Sequence, residues 1–159
     1  MTRTKAYVNL SHVESTLREL QRAGKTEGRE CVVLWLGRRT EKGFVVSEIL
    51  IPEQEAGEDC FYIPPTAMDA LMARLREMRG MVVAQVHSHP QEAFHSRADD
   101  KWAIIRHDRA LSIVVPYFGT RSTAPKFFSS SKVFEFLARN WVEVPDGEVQ
   151  EAVEVEHEP

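Results

Sequence analysis

Met81-Val82-Val83-Ala84-Gln85-Val86-His87-Ser88-His89-Pro90 is the stretch that decides how this chain is read. Met81 to Val86 is a short, valine-rich, apolar run that predicts a buried strand. His87 and His89 then stand at the strand end, two residues apart. Side chains two apart on a strand face the same side, so both imidazoles can reach one ligand. Active sites of α/β proteins are built at such strand ends. Downstream, Ser96-Arg97-Ala98-Asp99 adds a carboxylate, and the span from His87 to Asp99 is thirteen residues. Two imidazoles, one carboxylate and a water make up the usual ligand set of a catalytic Zn²⁺.

The 159 residues are enough for one domain with a real core. Hydrophobic content of 43% and charged content of 28% are ordinary for a globular protein. No apolar run approaches the roughly 20 residues of a membrane span. The start, Met1-Thr2-Arg3-Thr4-Lys5, leads into no signal-peptide core. Cys31 and Cys60 lie far apart and lack the spacing of a thiolate zinc site. They are read as packing residues of a protein in a reducing cytoplasm. Net charge is −4, with seven acidic residues and no Lys or Arg from Val142 onward. Residues 1–141 carry 20 basic against 17 acidic groups, too weak an excess to argue for nucleic acid. The division expected is a domain over residues 1–147 and an acidic C-terminal tail over 148–159, read as a solvated end.

Ser11 with Glu14 has the form of a capping box, and Val13, Leu17 and Leu20 recur at helical spacing until Gly24 to Gly28. Cys31 to Gly37 predicts a buried strand, Phe44 to Ile51 a second and Phe61 to Ile63 a short third. Pro64-Pro65-Thr66 opens a helix whose Met68, Leu71, Met72, Leu75 and Met78 share one face, a stripe read as core. Ala98 to Arg106 predicts another helix and Leu111 to Val115 a strand. Gly119 to Lys126 is loop-like. Val133 to Phe136 and Trp141 to Val144 form a hairpin turning at Ala138-Arg139-Asn140, a segment that could also be helical. This order predicts an α/β sandwich, three-layer-like, with a mixed, mostly antiparallel central sheet flanked by helices.

Each fragment of the candidate site is weak alone. His-x-His pairs occur on surfaces, and Ser-x-x-Asp before a helix is an ordinary capping box. Together they form a plausible three-ligand set, because a helix N-terminus can fix where Asp99 points. Glu30 alone is a polar residue before a strand. Glu41 and Glu48 are rival acids beside a turn or in a strand. His95 could line a cleft or face solvent, and Ser88, between the histidines on the opposite strand face, is read as structural. His12, His107 and His157 have no ligand spacing. Trp35, Trp102 and Trp141 are read as packing.

With Glu30 placed before the hydrophobic strand ending at Gly37, the chain resembles the JAMM (MPN+, JAB-domain) zinc metalloproteases. Their motif is an upstream glutamate, His-x-His-Pro and Ser-x-x-Asp. Many eukaryotic members place seven residues between the second histidine and the serine; here there are six, Pro90 to His95. The family spacing of Ser-x-x-Asp selects Asp99 over Asp100 as ligand. The resemblance covers about residues 5 to 145 in element order and implies the family's cytidine-deaminase-like fold.

The resemblance further implies that His87, His89 and Asp99 hold one Zn²⁺ per chain. Zinc lowers the pKa of a bound water from about 16 toward about 7. Glu30 would be the general base that takes the water proton and returns it to the leaving amine. Ser96 would donate to the developing oxyanion, a contact worth about 3 kcal/mol. The family cuts amides after the C-terminal glycine of ubiquitin or ubiquitin-like proteins. The chain is similar to the small prokaryotic branch that works beside ubiquitin-like, E1-like and E2-like proteins, some of it in anti-phage defence. Such an enzyme would act on a ubiquitin-like protein or its conjugates, with no nucleic acid or membrane partner. Its substrate tail would add to an exposed strand edge, with Gly119 to Phe128 walling the groove. Alternatives are maturation of a small sulfur-carrier protein and a non-catalytic MPN scaffold. A deaminase is disfavoured by the absence of Pro-Cys-x-x-Cys.

Overall fold

The computed structural model describes residues 3–56, 61–93, 105 and 107–157. Ten strands and three helices appear among them: β1 (Ala6–Asn9), α1 (Leu10–Arg22), β2 (Val32–Arg39), β3 (Phe44–Leu50), β4 (Glu55–Ala56), β5 (Phe61–Tyr62), α2 (Pro65–Met78), β6 (Met81–Ser88), β7 (Leu111–Val115), β8 (Lys132–Leu137), β9 (Asn140–Glu143), α3 (Val149–Ala152) and β10 (Val153–Glu156). Eight strands form one sheet in the order β10-β1-β3-β2-β6-β7-β8-β9, and β4 pairs with β5 in a small second sheet. Four of the seven large-sheet pairings are antiparallel and three parallel. This is the mixed sheet flanked by helices that the sequence predicts.

The run Val32 to Leu36 is apolar throughout because β2 is buried on both faces. Val33 and Trp35 point into the core under α1, among Val13, Leu17 and Leu20. Val32, Leu34 and Leu36 point into the other core, with Leu71 and Met78 of α2. Each such side chain contributes about 1.5–3 kcal/mol by leaving water. The Trp35 indole N–H, wholly buried, donates to Thr16 Oγ1 at 2.9 Å, tying α1 to the centre of the sheet.

Four expectations need correction. Helix α1 begins at Leu10 after Asn9, whose side chain makes no cap, so Ser11 and Glu14 lie inside the first turns rather than forming a capping box. On α2, Met72 is 47% exposed while Ala67 is buried, because only the face centred on Leu71 and Met78 meets the sheet. Gly119 to Phe128 does not make a groove wall throughout. Phe127 is fully buried against Trp35, and Phe128 sits edge-on to the same indole. Burying two aromatic rings outweighs leaving them at a cleft.

The acidic end is the fourth. Residues 149–156 are not a solvated tail: α3 buries Val149 and Ala152, and β10 pairs in parallel with β1. Val153 is buried, while Glu154 and Glu156 reach Lys5 Nζ at 3.6 Å and Lys42 Nζ at 2.9 Å. Strand alternation thus gives one apolar face to the core and one acidic face to basic partners.

Candidate functional site

Strand β6 carries the histidines. His87 is its penultimate residue, paired with Val32 of β2 on one side and Val114 of β7 on the other. Directly paired residues share a face, so His87 lies on the face of Val32, the α2 side of the sheet. His89 follows by alternation. Beyond the strand end the pairing with the β2 chain persists. The Ser88 N–H donates to the Cys31 carbonyl at 3.1 Å, and the Cys31 N–H donates to Ser88 Oγ at 3.0 Å. Glu30 stands directly before Cys31 on this paired chain, two residues from Val32. The sheet thus sets His87 and His89 at the end of β6, beside the segment that carries Glu30.

Ser88 is structural, as read: its hydroxyl fixes the Cys31 main chain. The Cys31 thiol is buried, and burial pushes its pKa up to about 11, so it stays a protonated packing group. On the site's face below His87, Gln85 Nε2 donates to Ser112 Oγ at 3.1 Å, both fully buried.

His87 is fully buried and His89 is 5% exposed. Their ring centres stand 5.2 Å apart with planes at 46°. Imidazoles that share one tetrahedral ion at Zn–N distances of about 2.1 Å have centres about 5.3 Å apart. The separation of the two ring centres matches that of two imidazoles on one tetrahedral ion. Asp99 and Ser96 lie outside the described residues, as do His95, Asp100, Trp102 and Cys60. So, apart from Ile105, does the helix expected over Ala98 to Arg106. Among the described residues, no three His, Cys, Asp or Glu side chains gather as a metal-binding group.

The rival acids lie elsewhere. Glu48 of β3 accepts from Arg74 at 2.8 Å. Glu41 lies in the β2–β3 turn, at the opposite end of the sheet from His87. His107 is held rather than free, with Nε2 2.8 Å from the Val82 carbonyl.

Two features of the site escaped sequence reasoning. Gln54, in the loop after β3, bonds the main chain of Val32 at both ends of its amide. And Tyr117, Phe118 and Gly119 form three consecutive left-handed residues, with φ of 55°, 54° and 73°. Non-glycine residues adopt this conformation at a cost of about 1–2 kcal/mol each. It is held here because the Tyr117 N–H donates to the Gln91 carbonyl at 3.0 Å and the Phe118 N–H to the His89 carbonyl at 2.8 Å. The strained run is thus a brace on the histidine turn. No turn signal in Tyr-Phe-Gly announces it.

No described helix is long and apolar enough to cross a membrane. Residues 11–117 match the model of the prokaryotic homologues of the JAB domain. A probable metalloprotease of Sinorhizobium fredii is 32% identical over 136 residues, 82% of each chain. The fold is similar to the solution structure of a protein from Desulfitobacterium hafniense, with a TM-score of 0.70, 15% identity, and coverage of 96% of this chain and 94% of that one. It is also similar to the crystal structure of a JAB1/MPN domain protein from Archaeoglobus fulgidus, with a TM-score of 0.51, 16% identity, and coverage of 98% and 100%. The histidine-bearing strand end, the mixed sheet around it and these matches together place the chain in the prokaryotic branch of the JAB/MPN family.

Proposed function

We propose that this protein is a zinc-dependent peptidase or isopeptidase that cuts after the C-terminal glycine of a ubiquitin-like protein, in deconjugation or precursor processing. The observation that carries the reading is the buried His87–His89 pair, its ring centres 5.2 Å apart at the strand end beside the segment that carries Glu30. The family membership and the metalloprotease name of the Sinorhizobium relative support it.

His87 and His89 would hold the ion, with Asp99 as third ligand. Bound zinc supplies a water acidic enough to ionise near neutral pH. Glu30 takes the water proton and delivers it to the departing amine, so one carboxylate serves as base and then acid. Ser96 donates a hydrogen bond to the substrate carbonyl oxygen as negative charge builds there. Burial of the two imidazoles excludes water from their flanks and fixes their rings. E1-like and E2-like proteins of the same pathway, and a cytoplasmic setting with a role in anti-phage defence, complete the reading. Maturation of a sulfur-carrier protein is the same chemistry on a different tail; a non-catalytic scaffold would not need Glu30.

The test is incubation with ubiquitin-like fusions extended beyond their terminal diglycine, read by mass spectrometry. Glu30→Ala should keep stoichiometric zinc and lose turnover, and His89→Ala should lose both. Glu30→Ala cleaving as fast as wild type would remove the assigned base, and absence of bound zinc after reconstitution would remove the mechanism.

A further inference from the structure

Strand β3 leaves β2 early. Their last pair is Leu34 with Leu50, and beyond it the chain turns into Ile51-Pro52-Glu53-Gln54. Among the described residues no strand pairs with the β3-facing edge of the chain from Val32 back toward Glu30, the part that enters the candidate site. Main-chain groups at that edge still need partners, because an unpaired buried amide costs about 1–3 kcal/mol.

Gln54 supplies them with one side chain. The Val32 N–H donates to Gln54 Oε1 at 2.6 Å, and Gln54 Nε2 donates to the Val32 carbonyl at 3.0 Å. Nε2 also donates to the Pro52 carbonyl at 2.9 Å, which fixes the amide's orientation from its own loop. A primary amide carries the donor and acceptor of a peptide group on one rigid plane. Here it stands in for the missing strand residue. The clamped residue, Val32, is fully buried, lies opposite His87, and is two residues from Glu30.

We propose that Gln54 is the positioning residue of Glu30. It holds the end of β2 in register with β6, so that the segment carrying Glu30 stays beside the histidines. Without it, the chain between Val32 and Glu30, which is Cys31 alone, is tied on one edge only, through the Ser88 contacts to Cys31. The inference rests on the reading of Glu30 as general base, and it makes Gln54 act through Glu30 and not on the metal. A misplacement of about 1 Å at a reacting group costs on the order of 100-fold in rate.

A double-mutant cycle separates positioning from general damage. Gln54→Met keeps the chain length and removes all three hydrogen bonds. Against the ubiquitin-like fusion substrate it should lower kcat about 10–100-fold and leave KM within about twofold. On the slow residual cleavage of the Glu30→Ala protein, read in single-turnover mode, the same change should cost nothing further. Zinc affinity, read by competition with a chelating dye, should stay within about threefold of wild type. Equal losses in both backgrounds, or a zinc affinity that falls in step with kcat, would overturn the proposal. Amide hydrogen exchange tests it without catalysis: Gln54→Met should speed exchange at Val32 and at Glu30 while β7 stays protected. Unchanged exchange at those amides would sink the inference even if the peptidase reading stands. Glu30→Ala with full activity would instead sink the peptidase reading, and with it the role assigned to Gln54.

Discussion

Gly24→Ala offers a sharp test of how the histidine turn is held, because helix propensity and packing predict opposite signs. Gly24 lies in the wide helical turn Ala23–Glu27 that extends α1, and its φ is not left-handed. By propensity, alanine should stabilise such a site by about 0.5–1 kcal/mol. The structure says otherwise. A Cβ on Gly24 would meet Phe118 Cβ at 2.3 Å and Cγ at 2.5 Å. Carbon–carbon contacts are comfortable from about 3.5 Å, so Phe118 would have to retreat by about 1 Å. Phe118 cannot easily retreat, since its N–H holds the His89 carbonyl and the next residue's carbonyl accepts from Gln21 Nε2 at 2.9 Å. Overpacking of this kind costs about 1–3 kcal/mol, and a weakened hydrogen bond adds about 1 kcal/mol. Net of the propensity gain, the variant should lose about 2 kcal/mol, or about 4–8 °C in Tm for a domain of this size. Its zinc affinity should fall about tenfold as the His89 main chain shifts. Urea unfolding and chelator competition measure the two effects. Phe118→Gly should partly suppress the defect, because it removes the clashing Cβ and the left-handed strain; Phe118→Ala, which keeps the Cβ, should not. A Gly24→Ala protein as stable as wild type, with undiminished zinc affinity, would refute the brace.

The hairpin joining β8 to β9 turns on Ala138 and Arg139, both left-handed at φ of 49° and 67°. Replacing them with Asn-Gly, the residues that such a two-residue turn favours, should gain about 1–2 kcal/mol in urea unfolding, and no gain would show that the turn relaxes without cost. Cys31 should resist alkylation at pH 8 in the folded protein. Burial raises its pKa to about 11, so the thiolate is scarce until pH approaches that value, and the side chain is 1% exposed. Peptide mapping after iodoacetamide treatment, with and without urea, should label Cys31 only in the unfolded sample; rapid native labelling would mean that the β2 end opens readily.

The central strands are legible because their burial is written locally. Cys31 to Leu36 and Leu111 to Val115 are continuous apolar runs, and a strand buried on both faces needs no alternation. The outer strands are not. Ala6–Asn9 and Val153–Glu156 are four residues each; the first is held between β10 and β3, and the second is a strand through its pairing with the first. Val-Glu-Val-Glu reads as an acidic tail until Lys5 and Lys42 are found beside Glu154 and Glu156. A parallel partner almost 150 residues away leaves no trace in a local window. The Met72 position on α2 misleads for a related reason: helical spacing gives the direction of a stripe, but its width is set by how much of the helix the sheet covers.

At the site, legibility follows the kind of atom involved. His87, His89 and Glu30 act through side chains whose chemistry is visible as letters, and the two-residue period of a strand is enough to put the two histidines on a common face. The supports act through the main chain, which has no letters. Gln54 grips a peptide group of Val32, Phe118 grips the His89 carbonyl, and Ser88 grips Cys31; any residue type could have offered those same backbone atoms. Only the departure of β3 at Leu50 creates a vacancy for Gln54 to fill, and only a left-handed run aims the Phe118 N–H at the turn. A motif search therefore finds the groups that do the chemistry and misses those that hold them in register. The variants that distinguish the two are Gln54→Met and Gly24→Ala, because neither residue belongs to the motif and each is tied to one arm of it.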